Sequence, residues 1–196
     1  MPAPVAGEFY VSHDAERPPE KQQRRLWQDV HLLEGYLDRP DAHEDKWQYA
    51  RSVFYLAQSH RSLGFADTAR ELWERFLGLG FSQKRQFTYL GYGAHNALGQ
   101  ICAEESVRRR DERLPQDCRK HFEEAHKICP RVEPLVYMAM AMPTSSRERL
   151  EVLRRATRVA PMQAASGHCA IFAEPGAYER LPQLLREAER EVAEQA

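Results

Sequence analysis

The scarcity of β-branched residues constrains the fold of this chain more than any other feature. Among its 196 residues, Ala, Leu, Glu and Arg together number 86, whereas Val, Ile and Thr number only 17. The first set favours helix and the second favours strand. A sandwich, a barrel or a doubly wound sheet needs runs of β-branched residues that this chain lacks. The sequence therefore predicts an all-α fold and disfavours Rossmann-type and P-loop enzymes.

Charge, hydropathy and cysteine spacing limit the partners and the compartment. The chain has 28 Lys and Arg against 29 Asp and Glu, so electrostatics do not favour nucleic acid or an anionic membrane as a partner. Its apolar stretches are short, and its first thirty residues lack the pattern of an export signal. The four cysteines contain no Cys-x-x-Cys pair, which favours reduced thiols over a disulfide framework. We expect a cytoplasmic protein without a cofactor.

The chain length fits one domain. Residues 1–19 contain four of the twelve prolines and no helical period, so we expect an extended N-terminal segment followed by a single helical domain over 20–196. Gly64 is placed to end one helix in the left-handed conformation, and the charged segment 108–115 is predicted to be an exposed loop. Apolar periodicity predicts helices over 20–39, 45–63, 67–79, 83–107, 116–128, 134–142, 146–159, 162–172 and 177–194.

An internal repeat is clearest over residues 50–81. Small and large side chains occur there in an order similar to that of a tetratricopeptide repeat. Small side chains let two helices approach each other, while large aromatic ones fill the space toward the next repeat. The small residues are Ala57, Gly64 and Ala69, and the large ones are Leu56, Trp73 and Phe76.

Two degenerate copies of this pattern follow, over 83–130 and 132–161. The first contains Phe122, Ala125 and Pro130, and the second ends on Ala156 and on Pro161, 31 residues after Pro130. In each copy the alanine is expected to pack inward and the proline to stop the helix. The resemblance implies an α-α superhelix of the tetratricopeptide kind, capped by the helix over 177–194. A helical bundle without repeats is the alternative.

A second resemblance covers residues 10–80. It is carried by His13, Arg17, Lys21 and Asp29, by Leu-Leu-Glu at 32–34, and by 52–64 with its Phe-Tyr-Leu-Ala-Gln-Ser core. These residues resemble the C-terminal helical-repeat region that follows a GT-A catalytic domain in bacterial and viral glycosyltransferases. The resemblance implies a region for substrate docking or dimerisation.

The catalytic half of such an enzyme has no counterpart in this sequence. No Asp-x-Asp metal motif and no nucleotide-binding strand precede residue 20. We therefore expect no catalysis by this chain itself. The alternative is that it works with a glycosyltransferase catalytic domain on another chain.

Two constellations carry residue types used in catalysis or metal binding. Cys118, His121, His126 and Cys129 are zinc ligands by type, but on one helix the two cysteines would lie about 16 Å apart. This spacing favours core packing of Cys118 and Cys129, with His126 toward solvent. Residues 166–169, Ser-Gly-His-Cys, lack a nearby orienting carboxylate and are predicted to form a turn or helix start. We expect no metal site and no catalytic residues.

A candidate binding face follows from the repeat pattern. With Ala57 in a packing position, Arg51, Phe54, Gln58 and Arg61 lie about one turn apart on the other side of the same helix. They could bind a carboxylate-bearing or extended peptide.

The alternative pairs Arg51 and Arg61 with acids of neighbouring helices. Residues 137–142 are either core or a pliable, Met-rich binding surface. The sequence thus predicts a scaffold or adaptor that binds a protein or peptide, and it leaves self-association open.

Overall fold

The computed structural model describes residues 18–81, 88–111, 113–144, 146–159 and 175–194. Within these ranges the secondary structure consists of α-helices and contains no strand, which confirms the predicted all-α class. The helices are α1 Pro19–Leu37, α2 Lys46–Ser62, α3 Ala66–Gly78, α4 Thr88–Arg109, α5 Gln116–Ile128, α6 Glu133–Ala141, α7 Arg147–Thr157 and α8 Pro175–Ala193.

Side-chain caps mark where α2 and α7 begin, and a glycine marks where α2 ends. The Asp45 carboxylate accepts hydrogen bonds from two backbone N–H groups in the first turn of α2, and the Ser146 hydroxyl accepts one from the first turn of α7. Gly64 ends α2 with a φ of +90°, the conformation predicted for it. The N-cap of α3 is Phe65, without a side-chain hydrogen bond.

The helices pack mainly against their neighbours along the chain. The contacting pairs include α2 with α3, α4 with α5 and α6 with α7, while α1 packs on α2 and α8 on α7. Further contacts, including those between α4 and α6, join the pairs to one another. Eight of the residues expected to pack the repeats lie in this interior: Leu56, Ala57, Ala69, Trp73, Phe76, Phe122, Ala125 and Ala156 are buried. Gly64 and Pro130 are exposed, because each follows the end of a helix, so the expectation that they pack the repeats is wrong.

Helices α4 and α5 approach each other closely at Gly99. A Cβ atom at Gly99 would lie 2.8 Å from two ring carbons of Phe122, which is too short for any real contact. Glycine is therefore required at position 99 for the Phe122 ring to lie against the backbone of α4. This packing sets the position of the Phe122 ring, which is fully buried.

The expectation of reduced thiols is wrong for one pair of cysteines. Cys102 on α4 and Cys118 on α5 form a disulfide across a separation of 16 residues, with their Cα atoms 5.4 Å apart. The spacing argument considered only cysteines that are close in sequence. Two antiparallel helices joined by a short connection instead bring residues on either side of that connection together. Cys129 is buried, as expected.

The segment between α4 and α5 also differs from the expectation. Helix α4 continues to Arg109, and Leu114 is buried in the same core cluster as Phe122. The prediction of an exposed loop over 108–115 is therefore wrong for its apolar residue. A single leucine after a run of charges anchors the connection by burying apolar surface.

Several expectations fall outside the described residues. These are the N-terminal segment as far as residue 17, the helix over 162–172 with its Ser-Gly-His-Cys sequence, and Pro161. Within the part of the chain that the structure describes, no helix combines the length and apolar character needed to cross a membrane.

Candidate functional site

The four residues of the predicted binding face on α2 have different environments. The side chain of Phe54 is only 1% exposed and packs against Phe76 and Trp73, so Phe54 is not a surface residue. Gln58 is exposed. The Arg51 guanidinium lies 5.7 and 5.5 Å from the centroids of two aromatic rings on its own helix. These positions do not converge on a shared binding pocket.

Arg61 has the environment that the alternative interpretation described. Its guanidinium donates a hydrogen bond to the carboxylate of Glu104 on α4. This ion pair links the end of α2 to α4. Glu104 also lines a groove that the sequence did not predict.

An open groove with a volume of about 520 Å³ lies between α4 and α6. Its apolar lining comes from three helices. Phe122 of α5, which is buried, forms the floor, while the other apolar residues lie on α4 and α6. They are Ala103 and Val107 on α4, and Tyr137, Met140 and Ala141 on α6.

Two apolar side chains at this groove remain in contact with solvent. Val107 is 61% exposed and Met140 is 45% exposed. Exposed apolar side chains that share one concave surface are typical of interaction sites, whereas scattered ones are ordinary. The groove therefore offers apolar area that a partner could remove from water.

Helix α6 divides its residues between core and groove. Met138, Ala139 and Met142 are buried, whereas Tyr137 and Met140 line the groove. The core interpretation of residues 137–142 holds for the buried face, and binding by the face that lines the groove stays a prediction. Helical periodicity places these faces on opposite sides.

The polar rim of the groove contains Gln100, Glu104 and Arg108. The charge of Glu104 is balanced by Arg61. The Arg108 Nε donates a hydrogen bond to the backbone oxygen of Glu104 at 3.4 Å. Within the described residues, no carboxylate lies within ion-pair distance of Arg108. The net charge at this end of the groove is therefore positive.

A pair of histidines lies elsewhere, between α4 and α5. The Nδ1 atoms of His95 and His121 are 3.1 Å apart, so one ring donates a hydrogen bond to the other. Burial and the neighbouring His121 lower the pKa of His95 to about 4. Burial also lowers the pKa of His121. Both rings are therefore neutral at pH 7.

Three residues of the zinc-like constellation have separate partners. Cys118 is bonded to Cys102, and His121 faces His95. The Nδ1 atom of His126 lies 2.8 Å from a backbone carbonyl oxygen and its side chain is half-buried, so the expected solvent-facing orientation is wrong. Across the described ranges, no group of three His, Cys, Asp or Glu residues is arranged to hold a metal ion.

No protein-family model, curated protein or solved structure matches the chain.

Proposed function

We propose that this chain is a non-catalytic protein-interaction module and that the groove between α4 and α6 binds a segment of a partner protein. In this proposal, the helix pairs α2–α3, α4–α5 and α6–α7 are irregular tetratricopeptide-like repeats of a superhelix. The exposure of Val107 and Met140 above a buried aromatic floor carries the proposal.

The chemistry of the lining favours a polypeptide. Apolar side chains of a partner would cover Val107 and Met140, and each Å² of apolar surface removed from water contributes about 25 cal/mol. Gln100, Glu104 and Arg108 on the rim can bond with the polar groups that flank an apolar anchor in a peptide. A lipid chain offers no such groups. A groove between two helices is a recurring site for docking a helical or extended segment.

A displayed random-peptide library, selected on the intact chain, tests this proposal. Val107→Asp and Met140→Asp place a charge in the groove at exposed positions, so folding should be preserved while binding of selected peptides weakens about tenfold or more. Leu32→Asp is the matched control, because Leu32 is 72% exposed on α1, outside the groove. We expect selected peptides to bind this control as they bind the unmodified chain.

Two results would contradict the proposal. Peptides that bind the two groove variants as well as the control would show that the groove is not the docking site. Self-association of the chain, measured by sedimentation velocity and abolished by Val107→Asp, would assign the groove to a second copy instead.

A further inference from the structure

The electric charge is uneven along the groove. Of the two ionised residues in its lining, Glu104 is bonded to Arg61. Arg108 contacts a backbone carbonyl, and no described carboxylate forms an ion pair with it. The groove therefore ends in a cation where α4 ends.

Two further arginines lie beyond the last turn of α4, and two acids stand between them in the sequence. Arg110 and Arg113 are exposed, and neither has an ion-pair partner within the described ranges. Arg109 differs from them, because it lies 3.7 Å from Glu105, which is also bonded to Arg70.

Acids on the last turns of α4 are paired with arginines of other helices. Glu104 is bonded to Arg61 and Glu105 to Arg70, and neither forms an ion pair with Arg108. The chain as a whole has a formal net charge of -1, so the cation at Arg108 is a local feature. It lies directly beside the apolar groove.

Building on the proposed function, we infer that the partner segment is acidic next to its apolar anchor. Its apolar side chains cover Val107 and Met140, and its Asp or Glu residues lie toward the C-terminal end of α4. There the Arg108 guanidinium donates charge-assisted hydrogen bonds to a carboxylate.

The solvent exposure of Arg108 limits how much an ion pair with the partner adds to the binding affinity. Ion pairs at solvent-exposed positions contribute little affinity, so one pair corresponds to a change of up to about fivefold. Complementary charge acts mainly on the association rate and on the choice between partners. The apolar contacts therefore supply most of the affinity, and the arginines select acidic partners over basic ones.

A nucleic acid or an anionic membrane also carries negative charge. The phosphate backbone, however, offers no aliphatic side chain for the exposed Val107 and Met140. A membrane surface is broad, whereas these two residues line a concave groove. A polypeptide with both acidic and apolar side chains supplies the negative charge and also fills the concave apolar surface.

The peptides selected from the displayed library test the inference. Among those whose binding depends on Val107 and Met140, we expect Asp and Glu to be enriched beside the apolar positions over Lys and Arg. The tightest peptide is then synthesised together with a version in which Asn and Gln replace its acids. Arg108→Gln should weaken the acidic peptide about three- to fivefold and leave the amide version unchanged.

Arg158→Gln is the matched control. Arg158 is exposed at the end of α7 and does not line the groove, so its replacement makes the same change in charge without an effect on binding. Raising the salt concentration from about 0.1 M to about 0.5 M should slow association of the acidic peptide more than of the amide version.

The two proposals fail in different ways. Groove-dependent peptides with basic or neutral flanks, or equal effects of Arg108→Gln and Arg158→Gln, would overturn the acidic partner and leave the docking groove intact. An absence of peptides that depend on Val107 and Met140 would overturn the proposed function itself. A single-stranded oligonucleotide that competes with the acidic peptide and itself binds more tightly would assign the arginines to nucleic acid, and would overturn the inference.

Discussion

Gly99→Ala measures how closely α4 and α5 pack beneath the groove. The new Cβ atom would lie 2.8 Å from two ring carbons of Phe122. Because that ring is fully buried, moving it aside would disrupt its packing in the core. Overpacking of this kind costs about 1 to 3 kcal/mol, whereas Ala in place of Gly within a helix gains about 1 kcal/mol. We expect the free energy of unfolding to fall by about 1 kcal/mol.

Gly35→Ala is the matched control for this substitution. Gly35 lies within α1, and a Cβ atom there would have no neighbouring atom within 4 Å. The gain in helix propensity is therefore unopposed, and stability should rise by up to about 1 kcal/mol. Urea denaturation of the two variants should give changes of opposite sign. In thermal melts, each change corresponds to about 2 to 4 °C in a chain of this size.

A double-mutant cycle identifies the origin of the loss. In a Phe122→Leu background, the smaller side chain leaves room for the new Cβ atom, so Gly99→Ala should be less destabilising than in the unmodified chain. If Gly99→Ala raised stability as Gly35→Ala does, the close packing of Gly99 against Phe122 would be refuted.

Three further predictions concern the core, the disulfide and the histidine pair. Trp73→Ala should lower the free energy of unfolding in urea by about 3 to 5 kcal/mol, because the ring is buried. Trp73→Phe should cost less, since the indole N–H has no hydrogen-bond partner among the described residues. A loss below about 1 kcal/mol for Trp73→Ala would contradict the burial. Reduction with dithiothreitol should lower the melting temperature, because the Cys102–Cys118 bond closes a loop of 16 residues and such a cross-link contributes about 3 kcal/mol. An unchanged melting temperature would contradict the disulfide. The contribution of His95 and His121 to the free energy of unfolding should fall as the pH drops from about 7.5 to about 5, because burial lowers their pKa values and the unfolded chain binds protons first. His95→Gln should flatten that slope, and an equal slope in the variant would refute the assignment.

Local signals predicted the helices well. Periodicity and end signals located α5 at residues 116–128, as the structure has it, and Asp45 and Gly64 mark the ends of α2 through chemistry that acts within a few residues. Composition predicted the all-α class because helix propensity is also a local property, which belongs to each residue.

Features that depend on tertiary packing were not predictable in this way. The disulfide requires Cys102 and Cys118 to face each other across two helices. The groove depends on Val107 and Met140, which lie 33 positions apart on α4 and α6. Val107 stands directly before three arginines, and an apolar residue in such a charged run is a local signal of an exposed apolar side chain. The sequence does not show that this side chain lines a groove, because the other wall of the groove is formed by α6.

The methionines of α6 provide the most direct test of the docking groove. In a chain labelled with ¹³C at its methionine methyl groups, addition of a peptide selected from the displayed library should shift the Met140 resonance, because this side chain is exposed in the groove. The resonances of Met138, buried on the other face of α6, and of Met142, buried directly after the helix ends, should move much less. A bound peptide that leaves the Met140 resonance unchanged would contradict the central claim that partners dock between α4 and α6.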